Sequence, residues 1–181
     1  RKIIEKGVSH VPEDRHRRGL ILEHDLAENM ILGYHYKKPF CKNGIMNYDV
    51  IHKHAIDLIE EFDIRTPSEN VTAKSLSGGN QQKVIIAREF YKSPELLIVA
   101  QPTRGLDVGA IEYVHKKILE AREHNKAVLL VSLELDEILE LADKIAVIYD
   151  GQIVGTLSQE ESDERKLGIL MAGGQLEYGV K

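Results

Sequence analysis

The chain has 181 residues, with 24 Lys and Arg against 29 Asp and Glu and a net charge of −5. At this length one domain can withdraw roughly 70 % of its unfolded surface from water, so a real core is within reach. The acidic balance argues against a generic nucleic-acid binder, no apolar run approaches the roughly 18 residues a bilayer requires, and the single cysteine, Cys41, excludes an internal disulfide or a multi-cysteine zinc site.

In chain order, the run Glu13-Asp14-Arg15-His16-Arg17-Arg18 mixes both charge signs without aromatics and reads as a solvated loop rather than a nucleic-acid patch. Leu26–Tyr36 reads as helical, and the whole stretch Leu26–Pro67 as a helical insertion without a strand. Ile51, Ala55, Leu58, Ile59 and Phe62 fall on one helical face. A further helix follows Ser77-Gly78-Gly79, with Val84, Ile85, Ala87 and Tyr91 on its apolar side. Leu96–Ala100, Ala127–Ser132 and Lys144–Tyr149 read as buried strands, separated by helices after Asp107 and over Glu134–Ala142. Asp150-Gly151 predicts a hairpin into Gln152–Thr156, and Gln159–Met171 a last helix. Strand and helix alternate from residue 95 on, which predicts an α/β fold with a parallel sheet. The eight histidines form no i,i+4 pair and no His/Cys cluster, and read as surface or internally satisfied groups.

The chemistry is carried by Ser75-Leu76-Ser77-Gly78-Gly79-Asn80-Gln81-Gln82. A helix N-terminus exposes unpaired N–H groups and about half a positive charge, the glycines allow close approach, and Ser77 adds a hydroxyl. Alone, this fits an ordinary glycine-rich helix cap better than an anion site. About twenty residues later stands Leu96-Leu97-Ile98-Val99-Ala100-Gln101-Pro102-Thr103-Arg104-Gly105-Leu106-Asp107. Together these segments resemble the nucleotide-binding domain of ATP-binding-cassette (ABC) proteins. Leu76–Gln81 matches the signature motif, Leu96–Thr103 falls at Walker B, and Arg104–Asp107 looks like the D-loop. Val11-Pro12-Glu13 sits at the Q-loop and Val131-Ser132-Leu133 at the switch histidine. The phrases PEDRHRRGL, LSGGNQQK and PTRGLDVGA look like the second cassette of double-cassette ATPases that power simple-sugar and nucleoside importers, with AQPTRGLDVGA leaning toward nucleosides.

The resemblance implies a partial P-loop NTPase core with a helical signature subdomain at 26–93, core strands with D-loop and switch at 94–157, and a helix and tail at 158–181. It implies ATP contacts at Ser77, Gly78, Gly79, Asn80, Gln81 and Asp107, the last of which could equally cap its own helix. ATP and Mg²⁺ are the implied ligands of the assembled parent. A partner cassette (in the same parent chain or a second copy), transmembrane permease subunits and, indirectly, a solute-binding protein are its partners, without nucleic acid. The place implied is the cytoplasmic face of a bacterial membrane. The alternatives are a soluble ABC ATPase acting on nucleic acid or the ribosome, and a non-catalytic interaction domain.

Several family features are missing or altered. No pair of the 14 glycines gives G-x-x-x-x-G-K-[ST]. With a chain that opens on Arg1, the expectation is a parent cut after its phosphate-binding loop, leaving this piece inactive and unable to hold ATP tightly alone. Loss of the phosphate-loop strand is expected to leave strand backbone unpaired and prone to self-association. At the Walker B carboxylates stand Ala100 and Gln101, at the switch histidine Leu133, and at the Q-loop glutamine Glu13. A methyl group cannot orient a metal's water shell, and a neutral amide cannot take a proton; losing a general base alone costs on the order of 10²–10⁴ in rate. The resemblance therefore implies a degenerate site of its own beside a sound signature to lend. It also offers the Q-loop region with the apolar face of Ala27–Leu32 as the dock for a permease helix, a face that core packing would equally require.

Overall fold

Aliphatic runs short enough for strands set the frame of the first of two compact units, residues 1–131; the second runs from Ser132 on. The computed structural model describes residues 1–175, and the last six residues of the expected tail lie outside that range. In the first unit, α1 (Lys2–Glu5) leads into β1 (Val8–Val11) and a π-helical turn over Arg15–Gly19. Then come α2 (Leu26–Met30), the small hairpin β2 (Cys41–Lys42) and β3 (Ile45–Met46), and α3 (Tyr48–Glu61). A 3₁₀ turn at Ala73–Ser75 precedes α4 (Gly78–Tyr91), β4 (Leu96–Ala100), α5 (Val108–Glu123) and β5 (Ala127–Val131).

The sheet is parallel in the order β1-β4-β5, with Val11 opposite Val99 and Val99 opposite Leu130. Ser9, Val11, Leu97 and Val99 are buried on the face that α4 and α5 pack against. The helical core is built by Leu26, Ala27 and Met30 of α2, Ile51, Ala55 and Leu58 of α3, and Val84, Ile85 and Ala87 of α4, each at most 2 % exposed. Asn29 ties that core to the preceding loop: its amide accepts from Ile21 N–H at 2.9 Å and donates to the carbonyls of Ile21, His24 and Asp25.

The sheet's other face is open. Leu129 and Val131 are 52 % and 50 % exposed, and among the described residues the outer edge of β5 pairs with no strand. Parallel sheets are ordinarily covered on both faces, and covering the exposed half of a side chain such as Leu129 is worth about 1 kcal/mol. The isolated chain is therefore expected to self-associate through β5, with light scattering rising with concentration, and Leu129→Lys is expected to suppress it. A strictly monomeric chain at all concentrations contradicts this.

The second unit begins with Ser132 and contains α6 (Leu135–Leu141), β6 (Lys144–Tyr149), β7 (Gln152–Ser158) and α7 (Glu164–Met171). Ile145, Val147, Leu157, Leu167 and Leu170 form its core. Asp150 and Gly151 turn the hairpin with φ of 47° and 73°, the left-handed pair that a two-residue turn demands.

Several elements differ from the sequence expectation. β1 reads as no strand, because Ser9 and His10 break its apolar run. The stretch Leu26–Pro67 does hold two strands, each two residues long and too short to show alternation. α2 stops at Met30, with turns to Tyr36, and the last helix starts at Glu164, where Asp163 accepts from Lys166 N–H. Among the described residues β6 pairs antiparallel with β7 rather than in a parallel sheet. Leu26, Ala27, Met30, Ile31 and Tyr34 are all buried, so the apolar side chains of the Ala27–Leu32 face pack into the chain's own core. Tyr91 is 46 % exposed rather than internal, its ring centroid 4.2 Å from that of His54. His54 itself is buried and meets the Tyr34 hydroxyl at 3.2 Å, and burial lowers its pKa.

Candidate functional site

Ser77 is the N-cap of α4: its hydroxyl accepts from Asn80 N–H at 3.4 Å, and from the Asn80 amide at 3.0 Å. Ser77 is exposed, and Gly78 and Gly79 are half-buried behind it. Asn80 and Gln81 use their polar atoms on the chain itself. The Asn80 amide oxygen accepts from Arg65 N–H at 2.8 Å. Buried Gln81 donates to the Ala73 carbonyl at 3.0 Å and meets His16 Nε2 at 2.9 Å. These bonds hold the loop while leaving its glycines bare. A Cβ at Gly79 would sit 3.1 Å from that of Ala110, so the first turns of α4 and α5 are in close contact. Two helix N-termini, each with its partial positive charge, thus converge. Asp107 caps α5 by accepting from Ala110 N–H at 3.0 Å, and its other oxygen faces Gly79.

Between β4 and α5 the chain runs through a tight turn. Gln101 takes a left-handed φ of 46°, unusual for a residue other than Gly, and its N–H donates to the Val131 carbonyl at 2.8 Å. Gly105 takes φ 68°, where a side chain would be strained. From α4, buried Gln82 donates to the Pro102 carbonyl at 2.9 Å. From the π-helical turn, Arg15 Nη1 donates to the Arg104 carbonyl at 2.9 Å. That turn is itself capped by Asp14, whose carboxylate accepts from His16 and Arg17 N–H, and the Arg17 bond leads in holding its pKa low. Glu13 is exposed just before it.

A buried ionic cluster fixes α4 from behind. Glu89 accepts from Arg88 Nε at 2.9 Å, from Lys92 at 2.7 and 2.8 Å, and from His10 N–H at 3.3 Å. Arg88 also donates to the Gly19 carbonyl at 2.9 Å. Burial raises the Glu89 pKa, but Arg88 and Lys92 outweigh it and hold it below the carboxylate range. Lys92 moves down as well, because burial and neighbouring Arg88 oppose its charge and it has Glu89 alone to offset them.

Leu133 belongs to the second unit, 74 % exposed, and offers only carbon. The structure thus gathers Ser77, Gly78, Gly79, Asn80, Gln81 and Asp107 around two helix heads, with Ala100 and Gln101 at the strand end that feeds the same turn. The donor set suits an anion at α4. Magnesium does not fit the end of β4, where Ala100 and Gln101 offer no carboxylate, and no cluster of three His, Cys, Asp or Glu exists among the described residues. Arg15, Gln82 and the Arg88–Glu89–Lys92 cluster escape sequence reading. Arg15 sits in a charge run that looks solvated, and nothing in the spelling signals which carbonyls these side chains reach.

The ABC transporter family model matches residues 1–104. The chain is 60 % identical over 176 residues to the nucleoside import ATP-binding protein NupA of Lactococcus lactis, covering 97 % of this chain and 35 % of that protein. It is 54 % identical over 173 residues to the guanosine import ATP-binding protein NupO of Bacillus subtilis, covering 96 % and 34 %. The chain spans about a third of the length of these curated relatives. Its fold is that of a solved dimeric ATP-binding cassette in a post-hydrolysis state with ADP and phosphate, with TM-score 0.71 at 24 % identity over 87 % of this chain and 65 % of that one. With the family model matching more than half of its length, the chain belongs to the ABC transporter family as part of an ATP-binding domain.

Proposed function

We propose that this chain is part of one cassette of a longer ABC ATPase that couples ATP hydrolysis to import of a nucleoside or simple sugar. The observation that carries the reading is the head of α4, where Ser77 caps the helix and Gly78–Gly79 leave its N–H groups bare beside Asp107. In this reading the signature is lent to ATP held by a partner cassette, in the same parent chain or in a second copy. The chain's own site is degenerate. Ala100 and Gln101 cannot orient a metal or take a proton from water, Leu133 cannot hydrogen-bond a γ-phosphate, and Glu13 puts an anion where a neutral amide is usual. ATP with Mg²⁺ is then used at the partner's site. The open face of β4 and β5 is where the longer protein supplies its covering layer and phosphate-binding loop.

The high identity to a nucleoside and a guanosine importer component supports the nucleoside branch over sugars. Permease subunits and a solute-binding protein complete the assembly, and the ATPase works peripherally on the cytoplasmic face of the membrane. Among the described residues no helix is long and apolar enough to cross one. The isolated chain is expected to bind ATP no more tightly than about 1 mM by calorimetry. Micromolar binding contradicts the division of labour, since it requires a phosphate cradle within these residues.

A further inference from the structure

We propose that Arg15 is a positioning residue for the nucleotide chemistry of the signature loop, fixing the spacing between Gly78 and the Arg104–Gly105 turn. The inference rests on the nucleotide role proposed above for the head of α4. Arg15 touches both segments. Its Nη1 donates to the Arg104 carbonyl at 2.9 Å. A methyl group on Gly78 would lie 2.8 Å from its Nη2, 3.4 Å from Cζ and 3.8 Å from Nε, so the guanidinium lies against the bare Cα of Gly78. The same Nη2 is 3.9 Å from where Gly105 would carry a Cβ. A planar fork can bridge two backbone segments in this way, and an ammonium on a flexible stem cannot.

The base of the side chain is locked. Asp14 caps the π-helical turn, and Gly19 packs so closely on α4 that a Cβ there would sit 2.5 Å from Ile85 Cδ1. Arg88 holds the Gly19 carbonyl as well. On the far side Gln82 holds the Pro102 carbonyl, so the turn is gripped at two carbonyls, both through α4 or the segment packed on it. The arrangement costs stability rather than adding to it in two respects. Arg15 Nε is closed off from water with no hydrogen-bond partner, and a cation beside a helix N-terminus opposes the helix dipole. Both costs make sense for a group that holds N–H donors ready for a phosphate, where a misplacement of about 1 Å costs on the order of a hundredfold in rate.

The test is steady-state ATP hydrolysis by the full-length protein carrying Arg15→Ala or Arg15→Lys, with melting temperatures measured alongside. Arg15→Ala is expected to lower kcat about tenfold with KM for ATP changed less than about threefold, and Arg15→Lys to recover less than about half of the loss. Turnover within about twofold of the parent in Arg15→Ala, full recovery by lysine, or a loss explained by a lower folded fraction each overturns the proposal. Gly78→Asp measured in parallel separates the two ideas. Lost turnover there with normal Arg15→Ala sinks the role of Arg15 alone, and normal turnover in Gly78→Asp sinks the nucleotide role beneath it.

Discussion

Gly78→Asp in the full-length protein is expected to cut ATP turnover by at least about a hundredfold, because it sets a carboxylate among the N–H groups that would receive a phosphate. At 4 Å and an effective dielectric of 20, two unit charges repel by about 4 kcal/mol, close to three decades in rate. The loss is not expected to come from unfolding. Gly78 is the first residue of α4, where an acidic side chain favours the helix dipole, and the neighbour a new Cβ would meet is the far end of the flexible Arg15 side chain. Gly78→Ala adds the Cβ without the charge and, by pushing the Arg15 guanidinium aside, is expected to cost about tenfold, as Arg15→Ala does and well short of the aspartate variant. Steady-state phosphate release from the two variants separates charge from bulk. Equal losses in both would place the effect on packing instead.

Glu89→Ala is expected to destabilise the first unit by about 3–5 kcal/mol, since it strands Arg88 and Lys92 inside the fold. It also removes the acceptor for His10 N–H, loosening α4 from β1. Denaturant unfolding of the variant against the parent checks the figure, and a shift below about 1 kcal/mol contradicts it. The folded-state pKa of Glu89 is depressed, so its share of stability is present above the ordinary carboxylate value of 4.5 and lost as pH falls through the lower folded value. The parent should therefore lose stability on acidification below that value, and Glu89→Gln should lose less of its remaining stability over the same range.

What could be read from the sequence follows from how local each signal is. β4, α5 and β5 announce themselves because their apolar periods run for a whole element, and Asp150-Gly151 because its turn demands those two residue types. The Ser77-Gly78-Gly79 loop and the Ala100-Gln101 strand end are legible because their chemistry lies in residue identity. β1 is hidden by Ser9, whose hydroxyl is satisfied by the Glu89 carbonyl at 3.0 Å, a bond across eighty positions that no window can see. The π-helical turn is hidden for the same reason, since Asp14 and Gly19 look like loop residues until α4 packs against them. Ala27–Leu32 has an apolar face that serves a dock and a core equally well, and only packing shows that it is core. Arg15 shows the limit most plainly, as one of several charges in a row and the one turned toward Gly78.

The most direct measurement of the account is the ADP formed in a single turnover of the full-length protein at saturating ATP. If this chain lends its signature and keeps a degenerate site of its own, about one ADP forms per chain in the fast phase. Two ADP per chain at equal rates would mean that the site carrying Ala100 and Gln101 hydrolyses ATP as well as its partner, and the asymmetry would fall.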